Sequence, residues 1–398
     1  MLGLNNDKAV CMIAFRSLPS DVNRLKIAAA LAREGYDIDF FCIKSDQEDN
    51  YENILGIKIH RISVGNIKNS DYSSLLLYYL LFMAKIFFKI IKLARSRRYY
   101  LYHIHNPPDF LLFAVIPLKL LYSAKFVLDL HDMLPESVSS NLQVNDNHIL
   151  VRFSKIIERI CISFSDAIIC TNKYDKEIVC SRNNIDVRKV FVVMNTPDFD
   201  LFKIDNISKR DDSLSNKFII LYQGTIWQRR GIQTVINALD LMPNNINILF
   251  YVIGDGPYLE KLKAVVDTRH LGSKVKFTGW IDPVSLYNYI SISDVCIIPF
   301  LKNKVNDRGV PNKLFEYIAQ EKPVIVSKLT GMSLIFNDEE VIFFEPGNAK
   351  DLCDKLIWCH NNIDRLNYFV KNAKNKYIKK YTWYKMKIEL YKCYSSLS

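Results

Sequence analysis

The sequence predicts an α/β protein built from two doubly wound domains, each with a parallel β-sheet. Its 398 residues exceed one compact domain and suit two domains of roughly 150–200 residues. Short apolar segments alternate with longer helical patterns along the whole chain, as expected for consecutive strand–helix–strand units. Many of these segments are continuous runs of β-branched residues, which are typical of strands that helices cover on both faces.

The predicted strands form two successive sets. The first set is predicted at residues 9–15, 37–42, 101–105, 126–130, 167–170 and 190–193, and the second at residues 218–223, 248–253, 275–278, 295–299, 323–326 and 341–344. Asn195-Thr196-Pro197-Asp198 ends the first set, and the polar segment 205–217 suits a linker. We therefore expect domains over residues 1–200 and 218–376, with a linker over 201–217. The aromatic, amphipathic segment 377–398 is predicted to be a helix that packs toward the first domain, with packing on its own domain as the alternative.

Composition excludes several classes of protein. A hydrophobic fraction of 49% and a charged fraction of 24% are those of a globular chain rather than a disordered or fibrous one. Nine cysteines, without a CxxC pair, favour a reduced, cytosolic protein. The formal charge of +11 favours a polyanionic partner such as a diphosphate or an anionic lipid surface, although an A/T-rich genome also enriches lysine. Because no nucleic-acid-binding motif accompanies the charge, we expect no nucleic acid partner.

The predicted relation to the membrane depends on one segment. No secretory signal pattern is evident at the N-terminus, and the longest apolar run, residues 75–84, is shorter than a spanning helix needs. The sequence therefore predicts a protein that is not integral to the membrane. Residues 75–98 combine apolar side chains with Lys85, Lys89, Lys92 and Arg95 along one helix face. Two interpretations stay open, an interfacial membrane anchor and a core helix with solvated lysines.

Two loops in the second half have the character of phosphate-binding turns. Gln223-Gly224-Thr225-Ile226-Trp227-Gln228-Arg229-Arg230-Gly231 leaves a strand and enters a helix. A glycine admits close approach of the backbone to a phosphate, and adjacent arginines near a helix start offer planar forks of donors. Ile253-Gly254-Asp255-Gly256-Pro257 is a second strand-to-helix turn. For this turn a structural role and direct phosphate contact are equally open.

A third loop carries the strongest candidate. Arg308-Gly309-Val310-Pro311-Asn312-Lys313-Leu314-Phe315-Glu316-Tyr317 is predicted to open a helix, with Glu316 about one turn inside it. A carboxylate there can accept two hydrogen bonds from the vicinal hydroxyls of a ribose, and Lys313 indicates an anion in front of the helix. The alternative is an acid that only stabilises the helix dipole. Ser327-Lys328-Leu329-Thr330-Gly331-Met332 permits a further turn near the same place.

The first half has one comparable cluster, Asp129-Leu130-His131-Asp132-Met133-Leu134-Pro135-Glu136, at the end of a predicted strand. His131 suits hydrogen bonding to a sugar hydroxyl, proton transfer or a purely structural role. His105-Asn106-Pro107-Pro108-Asp109 occupies an equivalent strand end, and Arg16, Asp21 and Arg24 follow the first strand. The strings Asp37-Ile38-Asp39 and Asp198-Phe199-Asp200 lie in a strand and in the linker, so no metal site is predicted.

The order and spacing of these loops resemble glycosyltransferase family 4. The motifs that carry the resemblance are Gly224-Thr225, Arg229-Arg230-Gly231, Ile253-Gly254-Asp255-Gly256-Pro257, Val275-Lys276-Phe277-Thr278-Gly279, Ser293-Asp294-Val295, Pro311-Asn312-Lys313-Leu314-Phe315-Glu316-Tyr317 and Lys322-Pro323-Val324-Ile325. In the first half, His103-Ile104-His105-Asn106-Pro107-Pro108-Asp109 and Asp129-Leu130-His131-Asp132 resemble the acceptor-domain signature of the family.

The resemblance implies a GT-B fold and metal-independent, retaining transfer from a nucleotide sugar, with UDP-sugar favoured over GDP-sugar and no other cofactor. Glu316 would hold the donor ribose, Arg229 or Arg230 the diphosphate, and His131 the donor sugar. The expected catalytic residues are His131, Arg229, Arg230 and Lys313. The expected donor-binding residues are Gly224, Thr225, Gly254, Gly256, Pro311, Asn312, Leu314, Glu316 and Gly331. The expected acceptor-side residues are Arg16, Asp21, Arg24, His105 and Asp132.

Three positions depart from the family pattern. The family places two glutamates eight positions apart, but Arg308 stands eight positions before Glu316, as in a subgroup that lacks the first glutamate. The usual Gly-Arg opening of the phosphate loop reads Gly224-Thr225, which shifts the cationic role to Arg229 and Arg230. The N-terminal Gly-Gly loop is replaced by Ser17-Leu18-Pro19-Ser20-Asp21.

The expected function is transfer of one sugar to a polyprenyl-diphosphate-linked or growing glycan in bacterial capsule or O-antigen synthesis. The expected location is cytoplasmic, peripheral on the inner face of the cytoplasmic membrane and in contact with its anionic surface. Two alternatives stay open: a nucleotide-sugar epimerase of the same fold, and a catalytically silent scaffold that binds nucleotide sugar at the membrane.

Overall fold

The computed structural model describes residues 8–45, 48–65, 72–94, 97–199 and 210–397. The chain divides into two compact units. The first contains Met1–Met194 together with Met386–Ser398, and the second contains Asn195–Lys385. Of the predicted linker over residues 201–217, residues 201–209 lie outside the described part, and Asp212–Leu214 form a short 3₁₀ turn.

The first unit has an eight-stranded sheet in the order β3-β4-β2-β1-β5-β6-β7-β8. Its strands are β1 (Ala9–Ala14), β2 (Asp37–Ile43), β3 (Tyr51–Ile54), β4 (Ile57–Ile62), β5 (Leu101–His105), β6 (Lys125–Leu130), β7 (Ala167–Cys170) and β8 (Val190–Val192). All neighbouring pairs are parallel except β3 and β4, which form an antiparallel hairpin at one edge. Every side chain of β1 and β5 is buried, as expected for central strands covered on both faces.

The helices of the first unit connect these strands and cover both faces of the sheet. They are α1 (Val22–Arg33), α2 (Tyr72–Ala94), α3 (Ile116–Tyr122), α4 (Leu134–Leu142), α5 (Ile149–Phe164) and α6 (Lys173–Asn183), with a 3₁₀ segment at Asp109–Ala114. Asp21 caps α1 by accepting a hydrogen bond from the amide of Arg24 at 3.2 Å. This cap satisfies an amide that the helix itself leaves without an acceptor.

The second unit has a six-stranded parallel sheet in the order β11-β10-β9-β12-β13-β14. Its strands are β9 (Phe218–Gln223), β10 (Ile248–Ile253), β11 (Val275–Gly279), β12 (Val295–Ile298), β13 (Val324–Ser327) and β14 (Ile342–Phe344). Its helices are α7 (Ile232–Asp240), α8 (Leu259–Thr268), α9 (Pro283–Ile292), α10 (Asn312–Ala319), α11 (Thr330–Ile335), α12 (Ala349–Asn361) and α13 (Ile363–Lys380). The prediction of two parallel-sheet, doubly wound domains is confirmed.

The C-terminal segment differs in part from the prediction. The single helix expected over residues 377–398 is instead the end of α13 followed by a separate helix, α14 (Trp383–Ser395). Leu390, Cys393 and Tyr394 of α14 are fully buried, and the amide of Met194 lies 3.2 Å from the sulfur of Met386. Residues from Met386 onward therefore complete the first unit.

Helix α2 is more apolar than the sequence analysis allowed. Within the described residues, one segment, Ser74–Leu93, is long and apolar enough to cross a membrane by length and composition, with a mean hydropathy of 1.9. The apolar stretch extends beyond residues 75–84 because the lysines that follow are embedded in further apolar residues. Phe82, Ile86 and Ile90 nevertheless pack into the core of the first unit, whereas the other described side chains of the helix are half-buried or exposed.

Candidate functional site

In the second unit, β9 and the start of α10 bring three polar side chains together. The ammonium of Lys313 donates to the carbonyl of Gln223 and lies 4.1 Å from the centroid of the Tyr222 ring. The amide nitrogen Nε2 of Gln223 donates to the carboxylate of Glu316. The backbone N–H of Gln223 donates to the hydroxyl of Tyr317 at 3.0 Å. Gln223, the last residue of β9, therefore fixes the cation and the carboxylate beside each other.

A second cation stands next to this group. The guanidinium of Arg230 lies 4.3 Å from the centroid of the Phe300 ring, and the ammonium of Lys313 lies 5.5 Å from the same centroid. Burial lowers the pKa of Lys313 well below its ordinary value, and the charge of Arg230 lowers it further, while Glu316 opposes the shift. A diphosphate placed against these cations would stabilise the charged form of Lys313.

The opening of α10 adds backbone donors. The helix begins at Asn312 after Pro311, so the predicted helix start is confirmed, with Glu316 just over one turn inside. First-turn amides have no acceptor within their own helix and carry the positive end of its dipole. The amide of Leu314 is different, because it bonds to the carbonyl of Pro311 at 3.0 Å. The side chain of Leu314 is fully buried, so its predicted contact with the donor is not what the structure shows.

The glycines predicted to bind the donor mostly build the loops instead. Gly224 and Gly254 donate their amides to the carbonyls of Ile253 and Gly279, each at 2.8 Å. A side chain on Gly254, whose φ is +130°, would collide with the backbone of Gly224. Only a residue without a Cβ lets these two turns approach each other. These glycines therefore allow the two loops to pack together, and their contact with the donor stays a prediction.

Gly256 and Gly331 have the same structural role. A Cβ at Gly256 would meet the backbone of Ile226, and a Cβ at Gly331 would meet the carbonyl of Arg308. The amide of Gly331 is taken up by the carbonyl of Asp307 at 2.7 Å. Gly331 thus lets the loop containing Arg308, the position where the family pattern has a glutamate, lie against the start of α11.

The two arginines of the phosphate loop differ in their surroundings. The backbone carbonyl of Arg229 accepts hydrogen bonds from the amide of Leu301 at 3.1 Å and from the side chain of Asn306 at 2.8 Å. Its guanidinium lies 5.6 Å from the centroid of the Trp227 ring. Arg230, in contrast, shares the Phe300 ring with Lys313. Of the pair, Arg230 is the one that joins the cationic group. Thr225, exposed on the same loop, accepts a hydrogen bond from the hydroxyl of Tyr222 through its carbonyl at 3.0 Å.

In the first unit, three histidines surround one buried carboxylate. The oxygen Oδ2 of Asp129 lies 2.8 Å from Nδ1 of His105, 3.1 Å from Nε2 of His131 and 3.5 Å from Nε2 of His103. Although burial opposes ionisation, the charge of His131 and hydrogen bonds from the three imidazoles hold the pKa of Asp129 well below its ordinary value. Burial lowers the pKa values of His103 and His105.

Asn106 holds the loop that carries His131. Its oxygen Oδ1 accepts hydrogen bonds from the backbone amides of His131 at 2.6 Å and Asp132 at 3.2 Å, while Nδ2 donates to the carbonyl of Asp132 at 2.5 Å. The guanidinium of Arg24 pairs with Asp21 and also donates to the carbonyl of Asn106. Asp21 and Arg24 therefore brace the His131 loop from the start of α1, while Arg16 is exposed nearby in sequence.

His105 and Asp132 have different degrees of access. The sequence predicts both on the acceptor side, and Asp132 is exposed there. The side chain of His105 is instead fully buried, so it supports His131 from inside the unit and does not meet an acceptor at the surface. Asp109, at the start of the 3₁₀ segment, accepts from Nδ2 of Asn106 at 2.8 Å. Burial raises the pKa of Asp109 to about 7.

Metal-ligand spacing occurs once among the described residues, in a cluster where ligand atoms of His103, His105 and Asp129 lie within 4.8 Å of one another. His105 and His103 lie 2.8 and 3.5 Å from the carboxylate of Asp129 in this cluster. The arrangement does not test the prediction of a metal-free site, which stays a prediction. The Asp37-Ile38-Asp39 string lies in β2 as expected, and both carboxylates pair with Arg97, at 2.7 and 2.8 Å. Asp200 of the second string lies outside the described residues.

The sequence analysis gave no role to several members of these groups. Gln223 stood inside a recognised motif and Phe300 close to one, but neither carries a charge that would single it out. His103 has a local signal, because residues two apart on a strand share one face, which places it beside His105. Tyr394 has none, since 291 residues separate it from His103, whose Nδ1 lies 2.7 Å from its hydroxyl. Trp280, with 76% of its surface exposed just after β11, was also not singled out.

Two family models match the chain, one for most of each unit. The model described as "Glycosyltransferase Family 4" matches residues 25–201, and the model described as "Glycosyl transferases group 1" matches residues 203–376. Among curated relatives, the lipopolysaccharide core biosynthesis glycosyltransferase LpsD of Rhizobium meliloti (strain 1021) is 27% identical over 31% of this chain and 34% of its own length. The putative teichuronic acid biosynthesis glycosyltransferase TuaH of Bacillus subtilis (strain 168) is 25% identical over 51% of each chain. The chain thus spans about a third to a half of the length of these relatives.

Solved structures resemble the chain over nearly its whole length. A sucrose-phosphate synthase from Thermosynechococcus elongatus has a TM-score of 0.80 at 17% identity, covering 98% of this chain and 99% of its own. HepE of Anabaena, solved in complex with UDP-glucose, has a TM-score of 0.71 at 15% identity, covering 98% and 99%. At such low identity these structures establish the fold. Together with the two family models, they show a GT-B fold and a likeness to glycosyltransferases of family 4 and group 1.

Proposed function

We propose that the protein is a retaining, metal-independent glycosyltransferase that moves a sugar from a nucleotide sugar to a lipid-linked or growing glycan. A UDP-sugar is favoured over a GDP-sugar as the donor. The observation that carries the proposal is the group formed by Arg230, Lys313 and Glu316 where α10 opens. The names of the relatives, in lipopolysaccharide and teichuronic acid biosynthesis, support a place in bacterial surface polysaccharide synthesis. The UDP-glucose bound to HepE supports the class of donor.

The group in the second unit has the parts that a nucleoside diphosphate leaving group needs. Arg230, Lys313 and the first-turn amides of α10 supply positive charge where negative charge develops on the departing phosphate, which a divalent metal would otherwise neutralise. Glu316, held by Gln223, accepts hydrogen bonds from the two ribose hydroxyls. The acceptor hydroxyl attacks from the side that the leaving group departs from, and the phosphate takes up its proton. That stereochemical course follows from the resemblance to family 4.

His131 is the sugar-contacting group of the first unit in this proposal. Asp129 accepts a hydrogen bond from its Nε2, and Asn106 holds its backbone amide, so the ring and its loop are both restrained. A restrained imidazole loses little conformational entropy on meeting a sugar hydroxyl.

We also propose that the first unit docks on the anionic inner leaflet of the cytoplasmic membrane. Leu76, Leu77, Leu80 and Phe88 of α2 are between 51% and 69% exposed, and Leu120 and Leu121 of α3 are more than 70% exposed. Helices α2 and α5 both contact the 3₁₀ segment Asp109–Ala114. The ring centroids of Tyr79 in α2 and Phe110 are 5.7 Å apart, and the sulfur of Cys161 in α5 lies 3.4 Å from the carbonyl oxygen of Asp109. The helices therefore flank one segment of the unit.

Helix α5 gives the clearest support for membrane docking because its exposed side carries apolar side chains in addition to those buried in the unit. Ser154 and Glu158 are on its buried side, where Arg182 pairs with Glu158 at 2.8 Å. Ile149, Phe153 and Ile156 are 55–70% exposed. Exposed Arg152 and Arg159 stand beside these apolar side chains. Apolar side chains flanked by arginine are the pattern of a helix that lies in the interface of an anionic bilayer.

Activity on defined substrates tests the proposal. The folded protein is first screened for thermal stabilisation by a panel of UDP- and GDP-sugars, because a ligand of the folded state raises its apparent stability. Stabilising sugars are then assayed for transfer to polyprenyl-diphosphate-linked glycans. Glu316→Ala is expected to lower transfer about 100-fold with the fold retained. Glu260→Ala, which removes an exposed acid from the first turn of α8, is the control and is expected to leave transfer unchanged.

Three results would contradict the proposal. Interconversion of a nucleotide sugar without an acceptor would identify an epimerase. Binding of nucleotide sugar without turnover on every acceptor tried would identify a scaffold. Normal transfer by Glu316→Ala would remove Glu316 from the donor site.

A further inference from the structure

The histidine cluster of the first unit extends to the C-terminal helix. Nδ1 of His103 lies 2.7 Å from the hydroxyl of Tyr394 on α14, and both side chains are fully buried. The His103 ring stacks on His105, with centroids 4.2 Å apart and an interplanar angle of 18°. Nδ1 of His105 in turn lies 3.4 Å from Nε2 of His131. A continuous set of contacts therefore joins Tyr394 to His131.

The charges in this cluster define which nitrogen carries each proton. An ionised carboxylate only accepts hydrogen bonds, so the nitrogens that face Asp129 must carry hydrogen. His105 is then protonated on Nδ1 and His131 on Nε2. His103 faces Asp129 through Nε2, which leaves its Nδ1 as an acceptor. The buried phenol of Tyr394, whose pKa is raised by burial, stays protonated and donates to that Nδ1.

The ring of Tyr394 is itself held in place. Tyr36 packs against it edge to face, with centroids 5.2 Å apart, and Leu390 and Cys393 of the same helix are fully buried. A donor fixed in this way selects one tautomer of His103 and keeps its ring against both Asp129 and His105. Its effect reaches His131 through the shared carboxylate and through the stacked rings.

We propose that Tyr394 is a positioning residue for His131, acting through His103 and Asp129 to fix the tautomer and the orientation of the His131 ring. The proposal rests on the proposed function insofar as His131 contacts the sugar. Without the phenol, His103 is free to carry its proton on Nδ1, and Asp129 then loses one of its three donors. Buried hydrogen-bond networks are sensitive to such a loss because no water replaces the missing partner.

The test compares Tyr394→Phe with Tyr391→Phe. Each change removes one hydroxyl from α14, and Tyr391 donates to the carbonyl of Ala30 at 3.2 Å, a contact that involves none of the cluster residues. For Tyr394→Phe we expect kcat to fall about tenfold, while KM for the sugar donor changes less than about twofold, as when an imidazole is misoriented without loss of substrate binding. Tyr391→Phe is expected to keep the wild-type kcat. Asp129→Asn is expected to lower kcat about 100-fold or more, because the amide permits the wrong tautomer.

A spectroscopic readout does not depend on turnover. In protein labelled with ¹⁵N-histidine, the seven histidines are assigned by single substitutions, and the nitrogen shifts of His131 report its tautomer. We expect the Nε2–H form in the wild-type protein and in Tyr391→Phe. In Tyr394→Phe we expect the signals of both His103 and His131 to shift.

Separate outcomes overturn the two proposals. If Tyr394→Phe matches Tyr391→Phe in both kcat and the His131 shifts, Tyr394 does not position His131. The same conclusion follows if kcat falls while the His131 signals are unchanged. Loss of activity on treatment with a chelator, with restoration by Zn²⁺, would make the cluster a metal centre and would also exclude the proposal. If the wild-type protein transfers no sugar, the proposed function fails, while the ¹⁵N shifts still decide whether Tyr394 fixes the His131 ring.

Discussion

The side-chain nitrogen of Lys313 is buried beside a second basic group, Arg230. Burial and Arg230 lower its pKa well below the ordinary value of about 10.4. Bound diphosphate would raise the pKa again. At a pH between the two pKa values, the binding of UDP should therefore be accompanied by proton uptake.

Lys313→Met should abolish that proton uptake and lower transfer about 100-fold or more. Because the unfolded chain binds more protons than the folded one between the lowered pKa and about 10.4, Lys313 makes the stability of the second unit rise with pH in that range. The variant should lose this slope and be at least as stable near neutral pH. Calorimetry of UDP binding in buffers of different ionisation enthalpy, between about pH 7 and 9, measures the uptake. Lys328→Met, which changes an exposed lysine after β13, is the control; equal proton uptake in both variants would contradict the role of Lys313.

The effect of Asp109 on the pH dependence of stability has the opposite sign to that of Lys313. Its folded pKa of about 7 exceeds the value of about 3.9 expected when unfolded, so the folded chain binds the extra proton between them. The contribution of Asp109 to the stability of the first unit is fully present below about pH 4 and is lost as the pH rises through about 7. Nearby Glu158 and Asp132 add to the cost of ionisation, and Arg182 reduces it.

Asp109→Asn should flatten this part of the stability profile, removing a pH dependence on the order of 3 kcal/mol. Pulse proteolysis of the first unit in urea, at about pH 5 and about pH 7.5, measures the difference. Asp354→Asn, which changes an exposed acid of α12 in the second unit, should leave the profile unchanged. A first unit that keeps the wild-type slope after Asp109→Asn would contradict the assignment.

At the scale of elements, every strand except the hairpin of β3 and β4 was predictable. The bounds of β9 and β10 agree with the apolar runs at every residue, because both strands are buried on both faces and need no alternation. The hairpin of β3 and β4 was not among the predicted strands, since β3 is mostly exposed and reads Tyr-Glu-Asn-Ile. Glu316 and Lys313 could be placed by their position after a strand, whereas Tyr394 depends on a long-range contact that no local pattern encodes.

Helix α5 shows a second limit of sequence patterns. Periodicity locates an apolar stripe, but it does not say whether the stripe faces the core. In α5 the buried face contains Glu158 beside Val151 and Cys161, because Arg182 and Asn183 of α6 supply partners for the carboxylate inside the unit. A second set of apolar side chains, which includes Phe153 and Ile156, lies on the exposed face.

If that face enters a bilayer, replacing Phe153 and Ile156 together by Gln should weaken binding to anionic vesicles at least about tenfold, from the loss of buried apolar area. Co-sedimentation with vesicles of phosphatidylglycerol and phosphatidylcholine measures the change. Ile378→Gln, which alters a 51% exposed side chain of α13, is the control. Equal binding to vesicles of phosphatidylcholine alone, or equal loss in the control, would contradict docking through α5.

At the scale of the whole molecule, the two units depend unequally on the C-terminal residues. Removal of residues 386–398 takes Leu390, Cys393 and Tyr394 out of the first unit and removes no residue of the second. The truncated chain should lose hydrogen-exchange protection in β1 and β5, while β9 and β10 stay protected and UDP still binds. Hydrogen exchange with mass spectrometry resolves the two units. Loss of protection in β9 would contradict this division of the chain.

The order of synthesis gives α14 a further consequence. All eight strands of the first sheet have been made once Val192 leaves the ribosome, yet the helix that covers part of that sheet is made only after the second unit. During translation the pocket for Leu390 and Tyr394 in the nascent first unit stays open while nearly two hundred further residues are synthesised. Its last step of folding is thus tied to completion of the second unit, so a chain released early would expose that open pocket to chaperones and proteases.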